Sequence, residues 1–296
     1  MQPKLARRVE ALIAQRTPFV VATVVRAQRP TSVRPGDSGI VLGDGTIEGF
    51  VGGACAETSV RLQALRTLET GEALLLRIVP EGDETAETEG ALVLRNPCLS
   101  GGALEIFLEP RLPAPRIAVV GETPIGRAIA SIAELLGYDA ELSAGPPEST
   151  SEDIAVVVAS HGHHEEEVLA AALGAGVPYV GLVASRKRGA AVIDELRARG
   201  IGDDRLARVR TPAGLDIGAG TAEEIALSIV AEIVSARAER GTVAAISATD
   251  PVCGMTVAVA EATPNVEHDG RSVYFCCEGC RNAFLEAPER YAAALR

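Results

Sequence analysis

The chain has 296 residues, of which 47% are hydrophobic, and a formal net charge of −12. That length supports two domains and a small third, while the acidic surplus disfavours nucleic acid and anionic membranes as partners, since both need dense positive surface. Aromatic residues make up 3% and tryptophan is absent, so platforms for stacking bases are not a theme.

The first block, residues 1–112, begins with an amphipathic helix over residues 5–15. This start lacks the apolar core of a signal peptide, and no later run reaches the ~18 apolar residues of a membrane span, so a soluble cytoplasmic protein is expected. The β-branched run "PFVVATVVRAQ" reads as a buried strand. "SGIVLGDGTIEGFVGG" reads as two short strands around Gly43 to Gly45, because Asp-Gly tolerates the positive φ of a tight turn. A helix over residues 54–68 follows, and "ALLLRIV" and "ALEIFLEP" are strands. The acidic, aperiodic "PEGDETAETEG" between them reads as a loose surface loop.

The second block, residues 115–240, alternates strand and helix: "RIAVVG", "IGRAIASIAELLG", "DAELS", "DIAVVVAS", "HEEEVLAAALGAG", "PYVGLVAS" and "RGAAVIDELRARG". Near-continuous apolar strands separated by helices predict a parallel sheet covered on both faces. "GTAEEIALSIVAEIVSARAER" closes the block as a helix whose Thr221 and Glu224 form a capping box. "GTVAAISAT" then reads as a linker. The third block, residues 249–296, holds four of the six cysteines, Cys253, Cys276, Cys277 and Cys280. It is too short for a large core, and in a reducing compartment such clusters favour metal or thiol chemistry over disulfides.

Several turns carry candidate chemistry. "VVGETPIGRA" lies where a dinucleotide-binding phosphate loop would sit; Gly121 and Gly126 match its first and third glycines, but Thr123 replaces the middle one and Glu122 adds negative charge. Glu141 is a poor ribose-binding carboxylate because it falls within a strand. At the carboxyl edge of the predicted sheet, His161 ends one strand, with His163 and His164 at the next helix start. Ser185, Arg186 and Lys187 stand at another strand-to-helix turn, suited to an anion. In the first block, Gly52 and Gly53 precede a helix near Cys55, whose thiolate the helix dipole favours. "NPCLSGGALEIF" places Cys98 before a second glycine pair.

These motifs, "GFVGGACAET", "CLSGG", "SHGHHEEEVL", "GLVASRKR" and "TPAGLDIGAGTAEEIALSIVAEIV", resemble the XdhC/CoxI family, accessory proteins of molybdenum hydroxylases such as xanthine and carbon monoxide dehydrogenases. The resemblance spans most of residues 18–238. It implies a mixed α/β N-terminal domain and a central Rossmann-like domain, with a groove between them holding molybdenum cofactor, as molybdopterin or its cytosine dinucleotide. It implies an accessory chaperone rather than an enzyme, with an apo molybdenum hydroxylase and a cysteine desulfurase as partners. By motif position the cofactor-binding residues are Gly52, Gly53, Cys55 and Glu57, then Cys98, Gly101 and Gly102, with two residues inserted after that cysteine. They continue with His161, Ser185, Arg186, Gly214, Leu215 and Gly218; Gly121 and Gly126 join them from the phosphate-loop position, where "GETPIG" departs from the family's glycine-rich form.

The third block, "DPVCGM", "VYFCCEGCRNAF" and "PERY", resembles a YHS (TRASH-like) metal-binding domain. It implies a small cysteine-rich hairpin-and-helix domain binding zinc or copper through Cys253, Cys276 and Cys280, with Cys277 as fourth ligand. Cys277-x-x-Cys280 has zinc-knuckle spacing, yet adjacent cysteines on a strand point oppositely, which opposes joint ligation by Cys276 and Cys277. Two other functions stay open: an NAD(P)-dependent oxidoreductase with His161 as acid–base group, and a metal carrier or sensor acting through the C-terminal block. A homodimer is expected only because symmetric oligomers are common.

Overall fold

The computed structural model describes residues 2–80, 85–88, 91–95, 102–146, 153–238 and 246–295. The chain forms two compact units, one of residues 114–241 and one that joins residues 1–113 to residues 242–296.

In the joined unit, α1 (Pro3–Ala14) precedes β1 (Phe19–Gln28), β2 (Ser38–Leu42) and β3 (Ile47–Gly49). Then come α2 (Ala54–Thr70), β4 (Leu74–Val79), β5 (Thr85–Thr88), β6 (Ala91–Arg95) and β7 (Ala103–Arg111). These strands make one sheet ordered β3-β2-β1-β7-β4-β6-β5, in which β4 and β6 run parallel and the other pairs antiparallel. The period of two along β1 divides its side chains between faces. Val20, Ala22 and Val24 pack with Val60 and Ala64 of α2, while Phe19 and Val21 pack with Leu5 and Leu12 of α1. The acidic stretch expected as a loop contains a strand: Thr85–Thr88 pairs antiparallel with Ala91–Arg95. Backbone pairing at a sheet edge outweighs its polar composition there.

The second unit contains β8 (Arg116–Val120), α3 (Pro124–Leu135), β9 (Asp139–Ser143), β10 (Asp153–Val158) and α4 (Glu165–Ala175). It continues through β11 (Tyr179–Leu182), α5 (Arg186–Ala198), α6 (Asp203–Leu206), β12 (Val209–Arg210) and α7 (Ala222–Ala238). All strand pairs in the sheet, ordered β12-β11-β10-β8-β9, are parallel. Both faces are covered, as the unbroken apolar strands require. Val120, Val156 and Val158 face α4 and α5 through Leu169, Leu173 and Leu196. Ile117, Val119 and Val157 face α3 and α7 through Ile129, Ile229 and Ile233. The capping box forms as expected: Glu224 N–H donates to Thr221 Oγ1 at 3.2 Å, and Thr221 N–H donates to Glu224 Oε2 at 2.9 Å.

The C-terminal residues fold as β13 (Ser247–Thr249) with β14 (Thr256–Ala258), then the hairpin of β15 (Asn265–His268) and β16 (Arg271–Tyr274), then α8 (Glu278–Glu286). Part of the expected linker is therefore a paired strand. The local core is small, built on Val273, Phe275 and Phe284. The block also packs on the first sheet domain: Ala262 N–H donates to the Asp44 carbonyl at 3.1 Å, and Thr58 Oγ1 of α2 donates to the Cys276 carbonyl at 2.5 Å.

Candidate functional site

At the carboxyl edge of the parallel sheet, a cavity of about 690 Å³ is lined by His161, Ser185, Arg186, Arg188, Gly214 and Gly218. Ser185 caps α5 by accepting from Arg188 N–H at 3.3 Å, which sets Arg186 in the first helical turn. The far wall is the loop before α7. Gly214 N–H donates to Glu232 Oε2 at 2.8 Å, and Tyr179 Oη donates to the same oxygen at 2.7 Å. Burial and then the Glu232 carboxylate push the Tyr179 phenol well above its ordinary value, so it stays a donor. Arg188 is held by buried Glu165, which accepts from Gly162 N–H and from Arg188, both at 2.8 Å. His161 sits in the left-handed region, with φ 52°, and is exposed, as is Arg186. Arg186, the Ser185 hydroxyl and a helix start suit this cavity to a phosphate, whereas Arg188 is already paired with Glu165 and Asp216 adds a carboxylate to the lining.

Gly121 and Gly126 do not line that cavity and serve packing. A Cβ on Gly121 would sit 2.5 Å from the Ala159 carbonyl at φ +117°, and one on Gly126 would sit 2.1 Å from the Gly121 carbonyl. Thr123 caps α3 by accepting from Gly126 N–H at 3.1 Å. The side chain thus takes an amide that a pyrophosphate would need. His163 and His164 do not line the cavity; His164 Nδ1 lies 3.4 Å from Glu167 at the start of α4.

In the joined unit, Gly53 is the N-cap of α2 and Cys55 lies in its first turn. Gly53, Cys55 and Gly102 meet at a cavity of about 570 Å³, with Thr31 and Ser32 across from them. Gly102 permits a close backbone approach, since a Cβ there would lie 2.1 Å from the Pro30 carbonyl. Gly52 is buried behind the cap, and Glu57 does not line the cavity. Cys98 and Gly101 lie outside the described residues.

The C-terminal cysteines form a third site. Cys253, Cys276 and Cys280 offer ligand atoms that, together with a carboxylate oxygen of Asp250, all lie within 4.8 Å of one another. Cys276 Sγ is 3.6 Å from Cys253 Sγ and 3.5 Å from Cys280 Sγ. A tetrahedral ion with metal–sulfur bonds of ~2.3 Å has sulfurs about 3.8 Å apart, so the spacing fits such an ion. Cys277 Sγ is 3.7 Å from Cys276 Sγ yet stands outside the group of four. The expectation of opposed neighbouring side chains does not hold, because β16 ends at Tyr274 and both cysteines lie in the turn into α8, with Cys277 its N-cap.

Hydrogen bonding from Cys276 lowers Cys253 to about 7. The same contact and burial push Cys276 upward, and burial pushes Cys280 up to about 12. Asp250 was not anticipated. Burial opposes its ionisation, but Cys276 N–H at 2.7 Å and Val252 N–H at 2.8 Å hold its carboxyl below the usual range. The bond to the residue two positions on is an Asx turn, a signal present in "TDPVC". Glu232 carries no such local signal.

Comparison with known proteins gives the same division of the chain. The XdhC and CoxI family model matches residues 12–78, the XdhC Rossmann domain residues 117–233, and the YHS domain residues 248–294. The uncharacterized protein YqeB of Escherichia coli (strain K12) is 28% identical over 249 residues, covering 75% of this chain and 44% of YqeB. The molybdenum cofactor insertion chaperone PaoD of the same strain is 26% identical over 276 residues, covering 77% of this chain and 86% of PaoD. A copper-transporting P-type ATPase of Rhizobium leguminosarum bv. viciae is 49% identical over 45 residues, which are 15% of this chain and 5% of the ATPase. The chain therefore spans less than half of YqeB but most of PaoD.

Proposed function

The chain belongs to the XdhC and CoxI family and closes with a YHS domain, and on that premise we propose that it is a maturation factor that binds molybdenum cofactor and hands it to an apo molybdenum hydroxylase. The observation that carries the reading is the cavity beside Ser185, Arg186 and Gly214. Arg186 and the helix start suit the phosphate of a pterin cofactor, in either the molybdopterin or the cytosine dinucleotide form. Arg186 would hold that phosphate, Arg188 staying paired with Glu165, and the Glu232 contact would keep the Gly214 loop in place. Cys55, at a helix start in its own cavity, is assigned the soft ligand or sulfur relay, which is where a cysteine desulfurase would act. The chemistry of the bound cofactor belongs to the client enzyme; this chain binds, orients and shields. PaoD, named as a cofactor insertion chaperone, supports the reading across most of its length.

The capped Gly126 amide speaks against the oxidoreductase alternative, because the start of α3 offers a pyrophosphate one amide fewer. For the C-terminal block we propose a bound zinc or copper(I) ion held by Cys253, Cys276 and Cys280, with Asp250 shaping the turn. The ion would cross-link a core too small to stand alone. In the test of the main reading, the chain is loaded with molybdenum cofactor and mixed with an apo hydroxylase. Wild type should restore hydroxylase activity, and Arg186→Ala should lower cofactor retention about tenfold or more, as the loss of a charge-assisted bond requires. Restoration by free cofactor at the same rate, with or without the chain, would overturn the proposal.

A further inference from the structure

A third cavity, of about 450 Å³, lies where the C-terminal block meets α2 and β6. Its walls include Gln63 and Arg66 of α2, Arg95 of β6, and Cys253 and Met255 of the metal turn. In a chain of net charge −12 this lining has, among the described residues, two arginines and no carboxylate. Neither arginine forms an ion pair among the described residues. Gln63 is 3% exposed, and its side chain has no hydrogen-bond partner among the described residues. Cys253 is the exposed member of the sulfur group, whereas Cys276 is buried. Among the described residues, the open side of the sulfur site is therefore a cationic chamber with an unpaired amide in its wall.

We propose that this chamber binds a small anionic thiol, one bearing carboxylates, that exchanges the metal ion with the C-terminal site. The proposal rests on the metal-binding reading of that block. Arg66 and Arg95 pair with the carboxylates and Gln63 with an amide or carboxyl group, which brings the thiol toward Cys253. The step is ligand exchange without redox. The metal–sulfur bond to Cys253 breaks as a bond to the incoming sulfur forms, and the proton of the incoming thiol passes to the Cys253 thiolate. Neighbouring Met255 supplies a soft, apolar wall at the same end.

Reduced glutathione is the probe. Full-length protein loaded with zinc is mixed with a chromogenic chelator, and zinc transfer is followed by absorbance. Glutathione should accelerate transfer about tenfold with saturation, and S-methylglutathione, which keeps the carboxylates but lacks the thiol, should suppress that acceleration. The Arg66→Ala/Arg95→Ala double variant should raise the half-saturating concentration about tenfold while its zinc content stays unchanged. Acceleration linear in glutathione and equal in the variant, or equal suppression by inorganic phosphate, would overturn the proposal. Calorimetric titration of the metal-free chain with S-methylglutathione separates the two readings. Binding that is lost in the double variant keeps the chamber even if the chain holds no zinc, and absence of binding overturns the chamber even if zinc is bound.

Discussion

Thr58→Val tests whether the metal turn is anchored on α2. The Thr58 hydroxyl faces two carbonyls, Ala54 O at 3.0 Å and Cys276 O at 2.5 Å, and Thr58 is 2% exposed. Ala54 O keeps the N–H of the helix ladder, but Cys276 O would lose its donor in a buried place. Valine preserves the shape, so the change isolates the hydroxyl. Losing the bond costs about 1 kcal/mol and orphaning the carbonyl adds about 1 more, a total near 2 kcal/mol. That corresponds to roughly thirtyfold in the opening equilibrium of the block. Hydrogen–deuterium exchange read by mass spectrometry should show about that acceleration in peptides from residues 246–285. Peptides from residues 153–238, in the other unit, are the internal control and should not change. Unchanged exchange in the C-terminal peptides, or equal acceleration in both sets, would refute the anchoring argument.

Cys276→Ser should abolish stoichiometric metal in the purified chain by elemental analysis, whereas Cys277→Ser should retain it, because Cys277 lies outside the ligand group. Asp250 has a folded pKa below its ordinary 3.8, so the stability it contributes is present above about pH 4 and is lost as pH falls through the lower folded value. Asp250→Asn should therefore make the metal-free chain less stable at pH 7, with a flatter acid limb than wild type in a pH series of urea unfolding. Gly121→Ala places a Cβ 2.5 Å from the Ala159 carbonyl at φ +117°. It should destabilise the parallel-sheet unit by about 2 kcal/mol or more in urea unfolding.

The parallel unit was legible because its signals are local: apolar strands, helical periodicity, and a Thr221–Glu224 box all act within a few residues. The departure at Thr123 was legible too, and its physical consequence, a capped Gly126 amide, follows from the residue type. The Gly102 approach to the Pro30 carbonyl joins positions far apart in sequence, so the glycine alone announced a close contact but not its partner. Glu232 holds Gly214 and Tyr179 across many residues, and nothing in "SIVAEIV" marks it. Thr85–Thr88 was misread because an edge strand is stabilised by its pairing to β6, which composition does not reveal. Cys276 and Cys277 were misplaced by one turn, since the end of β16 depends on where α8 begins.

The central claim is that this chain carries molybdenum cofactor. Native mass spectrometry of the full chain, purified from cells that synthesise the cofactor, tests it most directly. The account expects a species heavier by one pterin cofactor per chain, diminished in Arg186→Ala. A wild-type chain that carries no pterin under those conditions, but retains NADH instead, would contradict it.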